Sequence, residues 1–153
     1  MVYLADTASQ LEGISNMPHD EKNKSLDYAR EQVGHDPMAQ LLGLELVELQ
    51  PRRAVVALTP QARHLNALGV VHGTTLYAML DQAAAIACNT SDYRAVLCQS
   101  TINFLSAARP EYRLRAEAAP LSIKRRLSVW EIKITDERGE LVAVGQSTAY
   151  HFV

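Results

Sequence analysis

The sequence predicts an α+β fold, one long helix packed on a mostly antiparallel sheet. Three observations carry this. The stretch "GTTLYAMLDQAAAIACN" is Ala-rich and free of Pro and interior Gly, as a long helix requires. After it the chain changes to an alternating period, clearest in "RLSVWEIKITD", which a half-buried strand requires. At 153 residues and 48% hydrophobic, the chain is of a size for one domain with a real core.

The elements follow in order. Residues 1–35 are polar and read as a peripheral helical extension. Ser25 caps its last helix, Tyr28 and Val33 form a sparse apolar stripe, and Gly34 and Pro37 stop it. Residues 36–153 form the main domain. A short helix, Pro37–Leu42, leads into a strand at Leu44–Gln50, and Pro51-Arg52 turns the chain into a second strand, Arg53–Thr59. A loop from Pro60 to Val71 precedes the long helix, Gly73–Asn89. Four strands then lie in "AVLCQSTINFLSAA", "YRLRAEAAPL", "RLSVWEIKITD" and "ELVAVGQSTAYHF", the last two joined by a turn at Asp136–Gly139. In the third of these, Leu127, Val129, Glu131 and Lys133 lie on one face, and Ser128, Trp130, Ile132 and Ile134 on the other.

Composition excludes several classes. Net charge is −2 with no basic stripe, which argues against nucleic acid as a partner. No apolar run approaches a membrane span, and the N-terminus lacks a basic region followed by an apolar one, so the expectation is a cytoplasmic protein without membrane contact. The two cysteines, Cys88 and Cys98, make no disulfide framework or metal pattern and read as buried thiols; neither metal nor cofactor is expected.

The long helix and the loop before it hold the candidate chemistry. Gly73 begins the helix, where the first amides lack internal partners and attract negative charge. It is either an oxyanion-type donor or simply a tight-turn residue. Asp81 interrupts a run, Leu76–Ala87, that is otherwise apolar apart from Gln82. A helix apolar nearly all round is a buried one, and a buried Asp is paired or functional. Eight residues at about 1.5 Å each separate the two by roughly 12 Å. One helix cannot bring both to the same reacting centre, whereas two antiparallel copies side by side can. If both act on one substrate, the site lies between subunits of a two-fold dimer.

The pattern Asn66, then His72-Gly73, then Asp81 on an apolar helix resembles the hotdog-fold acyl-CoA thioesterases of the phenylacetate-degradation (PaaI-like) group, over about residues 36–153. The resemblance implies a curved antiparallel sheet wrapped around the central helix. It also implies two subunits paired into a continuous sheet, often doubled into tetramers, and an acyl-CoA substrate that is aryl or medium-chain. Gly73 would donate its N–H to the thioester carbonyl, and Asp81 of the opposite subunit would act as general base or nucleophile. Asn66 would orient water or substrate, and His72 would shape the start of the helix. Thr74 stands where the family has a second glycine, offering a hydroxyl at the helix start, and Ala85 stands where relatives carry a hydroxyl residue. Lys124, Arg125 and Arg126, opening the fifth strand, would meet CoA phosphates, with Arg109 and Arg113 weaker candidates of the same kind. The rival reading is a non-catalytic hotdog module that binds acyl-CoA or acyl carrier protein. A hydratase of the same fold needs a differently placed His and acid, and no such motif is present.

Overall fold

The computed structural model describes residues 22–91 and 93–153. Its elements are α1 (Lys22–Tyr28) running into a π-turn (Ala29–Val33), α2 (Pro37–Leu42), β1 (Glu45–Gln50), β2 (Arg53–Leu58), a 3-10 turn (Ala62–His64), α3 (Gly73–Cys88), β3 (Ala95–Phe104), β4 (Leu114–Ile123), β5 (Leu127–Asp136) and β6 (Leu141–His151). Six strands form one sheet in the order β1-β2-β4-β5-β6-β3, every neighbouring pair antiparallel. β1 and β3 are therefore the sheet edges. The predicted α+β order holds throughout, with element ends shifted by a residue or a few.

α3 lies on one face of the sheet. Its Leu76, Met79, Leu80, Ala83, Ile86 and Ala87 pack with Leu114, Ala116, Trp130, Ile132, Ile134 and Val142 in one core. The alternation predicted in β5 is observed: Ser128, Trp130, Ile132 and Ile134 are buried, and Leu127 and Lys133 are exposed. Gly145 sets how closely helix and sheet approach, because a Cβ there would run into Leu80 Cδ1 and the Thr101 carbonyl.

Three expectations change. α3 is not buried all round: Thr74, Tyr77 and Asp81 are exposed, with Ala78 and Ala85 half-buried beside them, so a stripe at helical spacing is bare in the protomer. The described part of the extension is not peripheral. Ala29 joins the central core, Gln82 Nε2 donates to the Val33 carbonyl at 2.6 Å, and Ser25, inside α1 rather than capping it, donates to the Thr90 carbonyl at 3.2 Å. Residues 1–21 of the extension lie outside the described residues. Of the cysteines, only Cys88 is buried, its thiol pushed up to about 12 by desolvation, and Cys98 is exposed on β3. Among the described residues, no helix is long and apolar enough to cross a membrane.

Candidate functional site

The loop before α3 is built by side chains that cap backbone. His64, 1% exposed, accepts the Gln61 N–H on Nδ1 at 2.9 Å, and its own carbonyl accepts the His72 N–H at 2.7 Å. Burial lowers the His64 pKa, so its imidazole stays neutral and can accept. Asn66 Oδ1 accepts the Leu68 N–H at 2.8 Å and the Val70 N–H at 3.4 Å, which closes the loop tip. Its side-chain amide group has no partner among the described residues, so its donors are available.

His72 is the N-cap of α3, in extended conformation at φ −64° and ψ 140°. Its Nδ1 accepts the Thr74 N–H at 3.0 Å and lies 2.8 Å from Thr74 Oγ1. Its carbonyl accepts from the Thr75 and Leu76 amides at 2.9 and 3.2 Å. Of the first four helix amides, three are thus satisfied. The fourth, Gly73 N–H, has no acceptor among the described residues. His72 and Thr74 are committed to one another at the helix start, which is the hydroxyl role expected of Thr74. The arrangement leaves a single oriented N–H donor at the positive end of a 16-residue helix.

Asp81 stands two turns further along the bare stripe, with no hydrogen-bond or salt-bridge partner among the described residues. Desolvation pushes its pKa up, and the negative charge of Asp36 adds to the rise. Asp36 is itself fixed as the N-cap of α2, accepting the Ala39 N–H at 2.8 Å. An unpaired carboxylate beside a like charge is a stronger base than a free one. Within one protomer, then, Asn66, His72, Gly73 and Thr74 gather at the start of α3, and Asp81 lies roughly 12 Å along the axis from them.

Lys124, Arg125 and Arg126 sit at the far end of the molecule. The Arg126 carbonyl accepts the His151 N–H at 2.9 Å, His151 pairs with Ala95 at the start of β3, and Ala95 is clamped by Asn89 just past the end of α3. Here Arg52, Ser91, Tyr93, Lys124, Arg125 and His151 line a cavity of about 270 Å³. His151 is 3% exposed and has its pKa lowered by burial. Trp130 Nε1 donates to Ser128 Oγ at 2.7 Å, and Ser128 Oγ lies 2.7 Å from His151 Nε2. Arg53, Arg113, Arg115, Lys133 and Arg138 each lie against a carboxylate. Arg52, Lys124 and Arg125 have no carboxylate partner among the described residues. Arg113, a weaker candidate in sequence, is held by Glu45 at 2.6 Å. Arg52, Tyr93 and His151 were not legible as site residues, because no linear pattern unites four separate segments.

Comparison with known proteins identifies relatives of the same fold. Residues 68–143 match the thioesterase superfamily. The acyl-coenzyme A thioesterase PaaI of Escherichia coli is 30% identical over 122 residues, covering 80% of this chain and 87% of that protein. A putative esterase of Deinococcus radiodurans is 34% identical, covering 69% of this chain and 73% of its own length. Among solved structures, the E. coli PaaI protein of the phenylacetic acid degradation operon superposes with a TM-score of 0.80 at 27% identity, covering 86% of this chain and 96% of that one. The TT0310 protein of Thermus thermophilus superposes at 0.72 with 34% identity, over 76% of this chain and 97% of its own.

Proposed function

The chain belongs to the acyl-CoA thioesterases of the hotdog fold, within the thioesterase superfamily, and we propose that it hydrolyses an aryl- or medium-chain acyl-CoA at a site shared by two subunits. The observation that carries this reading is the unaccepted Gly73 N–H on the same helix as an unpaired Asp81, too far apart to serve one substrate within a protomer. The Gly73 amide polarises the thioester carbonyl and receives the charge of the tetrahedral oxyanion. Such a donor is typically worth about 2.7–4 kcal/mol in the transition state. Asp81 of the second subunit takes a proton from water as the water oxygen bonds to the carbonyl carbon. Collapse breaks the C–S bond, and the thiolate leaves to be protonated. The donors of Asn66 hold the water or the carbonyl, and His72 with Thr74 fixes the first turn that aims the Gly73 amide. A direct attack by Asp81 would pass through a mixed anhydride instead. Single turnover in ¹⁸O-water separates the two, because only the anhydride route can leave label in the Asp81 carboxyl.

The edge strand β3 supports a dimer. It offers ten residues with one unpaired edge, and Val96 on it is exposed, a combination that folded chains cover. Antiparallel pairing of two β3 strands sets the Phe104 end of one, beside Gly73, against the Ala95 end of the other. The partner's cavity then lies beyond the partner's Asp81 as seen from Gly73. There Lys124 and Arg125, joined by Arg52 in the lining and followed in the chain by Arg126, would hold the phosphates of CoA. The test is release of free thiol from a panel of acyl-CoA thioesters, with Asp81→Ala as control. Hydrolysis lost in Asp81→Ala supports the reading. CoA binding without turnover by the native protein would leave the non-catalytic module standing in its place.

A further inference from the structure

Gly73 begins α3 without any backbone reason to be glycine. Its φ is not in the left-handed region, and glycine at an ordinary helical position costs stability relative to alanine. The reason lies in its neighbour. A Cβ on Gly73 would come within 3.0 Å of Phe104 Cζ and within 3.4 and 3.5 Å of the two Cε atoms. The Phe104 ring thus occupies the space beside the amide donor. The ring is held from behind. Phe104 is the last residue of β3, paired with Ala143, and the next two amides, Leu105 and Ser106, both donate to the Val142 carbonyl at 2.8 and 3.2 Å. The following segment is tied to the loop before α3 by Val71 N–H donating to the Ala108 carbonyl at 2.9 Å. Yet the ring is 55% exposed, so one side of it remains open next to the donor.

We infer that Phe104 is a positioning and specificity-determining residue: its ring fixes the Gly73 peptide that donates to the oxyanion and forms the apolar wall along which the acyl group lies. This rests on the reading of Gly73 as the oxyanion donor. The edge of the ring stands beside the half-buried donor, and the exposed part of the ring suits a flat acyl group better than a flexible chain. The ring is also what favours glycine at 73, because a Cβ there would require it to give way by a few tenths of an ångström. A side chain there must push against a ring whose strand is pinned, and small displacements of a donor are expensive in rate.

The experiment combines kinetics with a readout that does not need activity. In Phe104→Leu, kcat for acyl-CoA is expected to fall about 10-fold or more, with the loss larger for an arylacetyl than for a hexanoyl thioester. Gly73→Ala is expected to lose most activity, and Gly73→Ala combined with Phe104→Ala to recover part of it, because the colliding ring is gone. By NMR, the Gly73 α-proton resonances carry a ring-current shift that disappears in Phe104→Leu, whether or not the enzyme turns over. Sedimentation of each variant checks that the oligomer is retained. Two results overturn the inference: kcat unchanged for both thioesters in Phe104→Leu, or Gly73→Ala equally impaired with and without the ring. Were the native protein inactive on every thioester while the ring-current shift behaved as expected, the catalytic reading of Gly73 would fall and the inferred role with it, but the contact would stand.

Discussion

Gly73→Pro deletes the proposed oxyanion donor, and Gly73→Ala, which adds the same Cβ beside Phe104 but keeps the N–H, is its reference. Proline lacks the N–H, and it is well tolerated at the first helical position, where φ near −65° is already required. The residue before a proline must be extended, and His72 already is, at ψ 140°. No helix hydrogen bond is lost, because the Gly73 N–H has no acceptor. The new proline ring meets Phe104 as the Gly73→Ala methyl does, so that contact is common to both variants. The expected result is a Tm close to that of Gly73→Ala and a kcat lower than that of Gly73→Ala by about 10²–10³, the usual effect of removing one oxyanion donor. Mixing then tests the shared site. Gly73→Pro and Asp81→Asn subunits, unfolded together and refolded in equal amounts, form heterodimers as about half of all dimers, each with one intact site of two. Thiol release should therefore recover to about a quarter of native specific activity. If each site were built from one subunit, no mixture would recover at all. A kcat in Gly73→Pro equal to that in Gly73→Ala would refute the donor assignment. Absence of recovery, with exchange proven by mass-tagged subunits, would refute the shared site.

The carboxylate gives a second test. Asp81 binds its proton more tightly in the folded protein than in the unfolded chain, so its ionisation opposes folding once pH exceeds the ordinary carboxylate value near about 3.9. Asp81→Asn should therefore raise Tm at pH 7, leave it unchanged at pH 3, and lower kcat by about 10²–10⁴; a native kcat would remove Asp81 from the mechanism. The acid limb of the native kcat/KM profile should lie above the ordinary carboxylate range and move down in Asp36→Asn, which keeps the helix cap but removes the charge. Gly145→Ala forces a methyl against Leu80 and the Thr101 carbonyl, and overpacking of this kind costs about 1–3 kcal/mol, readable as a lowered denaturation midpoint. Arg52→Ala with Lys124→Ala should raise KM for acyl-CoA several-fold at low salt, and less at high salt. KM for the matching N-acetylcysteamine thioester, which has no phosphate, should not change; an equal rise for both would show that the cavity does not read phosphate.

What the sequence showed and what it hid divide along physical lines. β5 is legible because one face of the sheet is buried, so alternation in residues 127–136 is forced by the fold. The bounds of α2 are legible because Asp36-Pro37 starts it and Gly43 ends it, signals local in the chain. The exposure of Asp81 was not. Ala78 and Ala85, its neighbours on the stripe, are as apolar as the core alanines but too small to mark a face, so the run from Leu76 to Ala87 reads as buried all round. Gln82 looked like a second blemish in that run, whereas it is 7% exposed and holds the Val33 carbonyl, a partner 49 residues away that no local pattern encodes. Strand order is non-local in the same way. That β3 is left at an edge follows only from the pairing of β6 with both β5 and β3.

The proposed two-fold dimer would answer two features of the protomer and align a third with them. β3 has an unpaired edge, α3 has a bare stripe carrying an acid without a partner, and a cavity is ringed by cations without carboxylates. Each is costly for an isolated subunit. Open strand edges aggregate, carboxylates without partners lose solvation without recompense, and clustered cations repel. β3 runs opposite to α3, from Asn89 at the helix end back to Gly73 at its start. An axis through the middle of β3 therefore reverses both, bringing the Asp81 stripe of one subunit toward the Gly73 amide of the other, with the cationic cavity further along the same side. A parallel pairing of β3 would instead set Gly73 beside Gly73 and leave each acid as far from a donor as before. On the proposed dimer, the charge in the middle of the helix is a residue placed for the neighbouring subunit, and the edge strand is the element that decides which way that neighbour faces.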